Sequence, residues 1–137
     1  MSSPALTADV VALAPAAVLL IQRAREPFAG SWALPGGFVE AGERVREAAA
    51  RELAEETSID AGPMELLGVY DTPGRDPRGP TVSVVYLLLC DRELAARGGD
   101  DAGDARWFAL EKLPPLAFDH ATIVADAISC AARAPRS

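Results

Sequence analysis

Residues 37–59 read GFVEAGERVREAAARELAEETSI. From Glu43 onward the segment holds strong helix formers and no proline, and Val45, Ala48, Ala49 and Leu53 recur at the spacing of one apolar helical face. Glu52, Glu55 and Glu56 fall at i, i+3 and i+4, which puts three carboxylates on one helix face, one turn apart. Like charges stacked this way repel, so the arrangement costs stability unless something positive sits between them. Oxygen-only carboxylate sets suit Mg²⁺ or Mn²⁺, ions that commonly work together with phosphate groups. Glu40 to Asp60 carries seven acidic and three basic side chains, a formal −4. An anionic substrate would avoid that surface without bound cations.

Working outward, Pro27–Gly37 reads as a loop with two prolines and three glycines that also carries Phe28 and Trp32. Asp9–Leu13 and Ala17–Arg23 read as strands, with Pro15 separating them or marking an edge or bulge. On the C-terminal side, Met64–Tyr70 and Thr81–Cys90 read as strands, the second a nearly continuous apolar run suited to a central position buried on both faces. The connection between them, DTPGRDPRGP, is turn-rich and holds Arg75 and Arg78. Asp91–Gly103 reads as a polar surface loop, Asp104–Leu110 as a short strand and Phe118–Arg133 as a closing helix, with residues 134–137 a frayed tail. Strands and helices interleave, which predicts an α/β or α+β fold with a mixed sheet between helices.

The chain has 137 residues, a size suited to one domain with one core spanning 1–137. Its net charge of −7 argues against binding a nucleic acid polymer through its backbone. Cys90 and Cys130 lie far apart and read as two free thiols in a reducing compartment, and one histidine leaves no zinc-binding set. The apolar run near the N-terminus contains Pro15 and is too short to span a bilayer. No signal peptide or membrane span is evident, and the expected location is cytoplasmic.

Taken together the spacing is Gly37, five residues, Glu43, seven residues, then Arg51-Glu52-Leu53, one residue, Glu55-Glu56, one residue, Ser58-Ile59. It resembles the signature of the Nudix hydrolases, with every fixed position present except a final glycine, replaced by Ser58. The preceding WALPGGFVEAGE also resembles that family's approach to the signature. The resemblance implies a Nudix-like α/β/α sandwich with a mixed β-sheet and hydrolysis of a diphosphate linkage by metal-activated water, with Mg²⁺ or Mn²⁺ as cofactor. It implies Glu52, Glu55, Glu56 and the carbonyl of Gly36 as metal ligands, with Gly37, Glu43 and Arg51 supporting them. For the general base it leaves two sources: a glutamate of the signature, Glu52 or Glu56, or an acid of the segment RGGDDAGDARWF, where Asp101 is preferred over Asp100 and Asp104. At Ser58, serine in a left-handed helix terminus costs up to about 1 kcal/mol against glycine.

Pro73 lies 15 residues beyond Ser58, which resembles the proline that marks ADP-ribose pyrophosphatases, and LAFDH at Leu116–His120 resembles bacterial members of that group. The implied substrate is a small nucleotide diphosphate, foremost ADP-ribose, cleaved to AMP and ribose 5-phosphate. Arg75 and Arg78 become candidates for its phosphates or terminal ribose, or else exposed turn arginines. Phe28 would stack on the base or pack the loop. His120 reads as an orienting histidine rather than a catalyst. Two other readings stay open: a nucleoside triphosphate pyrophosphohydrolase that removes damaged nucleotides, and a non-catalytic nucleotide sensor. A sensor of the resembling kind would carry a DNA-binding domain, for which the residues after the last helix leave no room. A homodimer is common among the resembling ADP-ribose enzymes.

Overall fold

The computed structural model describes residues 3–99 and 102–133. Asp100 and Asp101, and the tail at 134–137, lie outside the described residues. Two long apolar strands set the frame. Strand β1 (Ala5–Ala14) turns through Pro15-Ala16 into β2 (Ala17–Arg23), with Ala14 opposite Ala17 and Leu13 opposite Val18. Pro15 therefore sits in the turn itself, where its fixed φ helps reverse the chain. Two short strands, β3 (Trp32–Ala33) and β4 (Gly36–Phe38), come from the stretch expected to be loop. At two and three residues they are too short to show any alternation in sequence. Helix α1 (Val45–Thr57) follows, then β5 (Glu65–Tyr70), β6 (Thr81–Leu89), β7 (Ala102–Ala109) and helix α2 (His120–Arg133).

The sheet is mixed. Strands β1 and β6 run parallel from Ala5↔Thr81 to Leu13↔Leu89, and the other pairings are antiparallel, with β5 beyond β6 and both β3 and β7 on β2. Alternation along β1 and β6 divides the core. Ala8, Val10, Ala12, Tyr86 and Leu88 pack with Ala48, Ala49 and Leu53 of α1. Val11, Leu13, Val85 and Leu87 pack with Ile123, Val124 and Ala127 of α2. Each strand thus feeds two helical layers, which is why β6 reads as an unbroken apolar run.

One break in the sheet positions the site. Strand β1 pairs with β2 only near its C-terminal end, whereas its N-terminal half pairs with β4, Thr7↔Phe38 through Asp9↔Gly36. Between the two partners the sheet splits. Polar side chains then replace apolar ones on the α2 side, with Thr7, Asp9 and Ser83 continuing the line of Val11, Val85 and Leu87.

Candidate active site

Helix α1 begins without a side-chain cap from Arg44, but Glu47 Oε1 accepts the Arg44 N–H at 3.3 Å, half of a capping box. It ends at Ser58, whose φ of 64° is left-handed and whose N–H bonds the Ala54 carbonyl at 2.9 Å. The serine therefore takes the conformation expected of a glycine there.

Arg51 organises the acidic face. Its guanidinium donates to Glu43 through two bonds of 2.7 and 3.0 Å, to Glu52 at 2.8 Å, to Glu55 at 3.3 Å and to the Phe38 carbonyl at 3.2 Å. The hydrogen bonds from Arg51 pull the Glu43 carboxyl below its usual range. Glu52 moves the other way, because its burial outweighs the same arginine. Gly37 lies directly against Glu52, so a Cβ there would sit 2.6 Å from the Glu52 carboxyl carbon. Any larger residue at 37 would thus push the Glu52 carboxylate out of its present position. Glu55 is 58% exposed and points to solvent.

Glu56 turns away from Arg51. Its Oε1 accepts the Gly36 N–H at 2.7 Å, and it lines a cleft of about 240 Å³ at the split in the sheet. Burial raises its pKa to about 8 despite that bond. Across the cleft floor Asp9 is pushed up to about 7, again mainly by burial, with Arg75 and Ser83 pulling the other way. Among the described residues neither carboxylate has a cationic group within ion-pair distance. A buried and a half-buried acid with raised pKa values in one cleft mark it as a site where charge compensation is incomplete.

The same cleft also carries basic and aromatic groups. Arg75, with only 4% of its side chain exposed, makes a two-pronged bond to Asp119 (2.7 and 2.9 Å) and donates to Ser83 Oγ at 2.7 Å. Arg78 pairs with Asp76 at 2.8 Å, its guanidinium 5.3 Å from the Phe38 ring and 5.8 Å from that of Phe118. Arg23 donates to the Pro27 carbonyl at 2.7 Å and lies 4.9 Å over the Phe118 ring, with no carboxylate in ion-pair range among the described residues. Burial, then repulsion from Arg78, lowers its pKa.

The structure therefore brings Gly36, Gly37, Glu56, Arg75 and Arg78 to one cleft. It holds Glu52 and Glu55 beside them on Arg51. Phe28 does not line the cleft; at a φ of 62° it meets the Phe118 ring edge-on at 4.9 Å. Asp104 pairs with Arg106 at 2.7 Å on the exposed rim of β7. Sequence reasoning passed over Asp9, Arg23 and Phe118. A single carboxylate inside the apolar run ADVVALA was the available signal for Asp9, and the LAFDH stretch was the one for Phe118; Arg23 carried none.

Among the described residues no three His, Cys, Asp or Glu side chains converge as a ready-made metal set. The donor chemistry nevertheless suits a hard divalent cation: Glu52, Glu55 and Glu56 supply only oxygen, and among the described residues no cationic side chain lies within ion-pair distance of the half-buried Glu56 or the buried Asp9.

Comparison with known proteins places these features. A family model described as NUDIX domain matches residues 3–127. The ADP-ribose pyrophosphatase of Methanocaldococcus jannaschii is 49% identical over 124 residues, covering 90% of this chain and 72% of that protein. A MutT/nudix family protein from Enterococcus faecalis superposes with a TM-score of 0.90 at 34% identity, covering 96% of this chain and 63% of the other. The NUDIX domain of Shewanella oneidensis NrtR, solved with ADP ribose, superposes at 0.89 with 32% identity, covering 96% of this chain and 90% of that one.

Proposed function

The chain belongs to the NUDIX family and is a pyrophosphohydrolase, and on that premise we propose that it cleaves ADP-ribose to AMP and ribose 5-phosphate. One observation carries this reading. A single cleft brings the carboxylates of Glu56 and Asp9 together with the cations Arg23, Arg75 and Arg78 and the Phe118 ring. A diphosphate flanked by two ribosyl groups has the matching chemistry, with anionic oxygens for the cations and planar or sugar surface for the ring. The 49% identity to an archaeal ADP-ribose pyrophosphatase supports the same substrate.

Glu52, Glu55, Glu56 and the Gly36 carbonyl would hold Mg²⁺ or Mn²⁺, which supplies charge neutralisation at the diphosphate and a water of lowered pKa. The other groups act as follows. The Gly36 N–H fixes the rotamer of Glu56 at the cleft wall. Arg51 holds Glu52 and Glu55 on one face, so that they can be drawn to a cation without a search over rotamers. Arg23, which has no carboxylate in ion-pair range among the described residues, offers its charge to a phosphate oxygen. Proton removal from the attacking water falls to Glu52 or to Asp101.

Incubation of the protein with ADP-ribose and Mg²⁺, with products separated by ion-exchange chromatography, should yield AMP and ribose 5-phosphate. Excess chelator should stop the reaction, and Glu56→Gln should lower kcat/KM by at least about 10³-fold, the scale on which loss of charge stabilisation acts. Release of inorganic pyrophosphate from nucleoside triphosphates, with ADP-ribose untouched, would replace this reading. Tight ADP-ribose binding with no turnover would make the domain a sensor.

A further inference from the structure

His120 opens α2 and is buried, with 5% of its surface exposed. Its Nδ1 accepts the backbone N–H of Leu34 at 3.0 Å. An acceptor nitrogen carries no hydrogen, so the proton of the neutral ring resides on Nε2. No protein group among the described residues bonds Nε2, yet no buried side-chain nitrogen among them lacks a partner. Nε2 therefore reaches the space of the cleft that His120 lines. The result is a hydrogen-bond donor with its tautomer locked from behind, its ring wedged by Phe118 at 5.3 Å, and its open atom facing the substrate's place.

We propose that His120 is a substrate-reading residue whose Nε2–H donates to an uncharged acceptor on the nucleoside or terminal sugar of the substrate. The claim rests on the cleft being the place where a diphosphate-linked nucleotide binds. The electrostatics choose the kind of acceptor. The ring stays neutral, because burial, Arg75 and Arg23 all oppose its protonation and only Asp119 favours it. The Phe118 ring lies 5.3 Å from the imidazole, and Leu34 lines the same cleft. Anionic oxygens find full positive charge at Arg23 in the same cleft. A neutral donor among charged neighbours that already serve ionic groups is left for a group without charge, where an unmatched polar atom would otherwise be costly.

Two substitutions separate the two nitrogens. His120→Asn keeps an oxygen at the Nδ1 position for Leu34 and deletes the cleft donor. His120→Gln keeps an amide donor near the Nε2 position and surrenders the Leu34 acceptor. His120→Asn should raise KM for ADP-ribose about tenfold with kcat changed less than threefold, while His120→Gln should hold KM within threefold and lose thermal stability instead. Equal KM values for wild type and His120→Asn would overturn the assignment. Competitive inhibition by fragments identifies the acceptor. A raised inhibition constant for AMP in His120→Asn points to the nucleoside, and one for ribose 5-phosphate points to the sugar. A rise confined to inorganic pyrophosphate would mean a phosphate contact and sink the proposal.

A readout free of turnover keeps this test apart from that of the proposed activity. His120 is the only histidine in the chain, so ¹⁵N-imidazole spectra need no assignment. The free protein should show the Nε2–H tautomer, and saturating ADP-ribose should shift the Nε2 resonance. The Nδ1–H tautomer, or an unmoved Nε2 signal in the bound protein, would refute the role of His120. A protein that binds ADP-ribose with the expected shift but hydrolyses none would refute the activity alone.

Discussion

At the scale of single residues, the signature owes its composition to close approaches and one unusual dihedral. Gly37 sits where a methyl group would press on the Glu52 carboxylate. Gly37→Ala should therefore displace that carboxylate and lower kcat by about 10²-fold, as misplacement by about 1 Å can, while steady-state kinetics show KM little changed. Ser58 occupies a left-handed helix terminus, where glycine is free of the Cβ penalty, and its Oγ makes only a 3.4 Å contact with the Arg97 carbonyl. Ser58→Gly should be neutral or stabilising by up to about 1 kcal/mol in urea unfolding. The glycine at 37 was legible as part of a pattern, but its contact with Glu52 was not. Residues 37 and 52 are far apart in sequence, and only the pairing of β4 with β1 under α1 brings them together.

At the scale of elements, the long ones were readable and the short ones were not. Strands β1, β2 and β6 and both helices announce themselves through runs or periodicity long enough to read. Helix α2 starts two residues later than expected, because Phe118 takes a φ of 54°, outside the right-handed helical region. The connection at 71–80 reads correctly as turn-rich, and Arg78 finds its partner Asp76 within it, yet the partners of Arg75 lie elsewhere in the chain. Arg75 ties this connection to Asp119 ahead of α2 and to Ser83 of β6. Arg75→Lys retains the charge but loses the planar fork, so it should cost about 2 kcal/mol, the range for charge-assisted hydrogen bonds. The measurement is the denaturant midpoint at constant m-value.

At the scale of the whole molecule, stability should report both the histidine and the acidic cleft. His120 is held near pKa 4 in the folded protein, below the 6.5 of a free imidazole. Between those values the unfolded chain binds more proton, so this stabilising contribution is complete above about pH 6.5 and is lost as pH falls towards 4. The stability difference between wild type and His120→Asn, measured by urea unfolding at each pH, should shrink from pH 7 to pH 4.5 as the wild type loses that contribution. Addition of Mg²⁺ after chelation should raise the melting temperature of the wild type and much less that of Glu56→Gln, since a ligand at 100 times its Kd adds about 2.7 kcal/mol. The sequence by itself determined the acidic helix, the apolar strands and the family resemblance, because these are local: periodicities of 2 and 3.6 and fixed spacings survive in a one-dimensional string. Only the tertiary structure decided which charges share a cleft. Asp9, Arg23, Glu56, Phe118 and His120 come from separate elements, and they meet because β1 exchanges β2 for β4 along its length and opens the sheet. Burial there sets the protonation of Asp9, Glu56 and His120, and burial is a property of the packed chain.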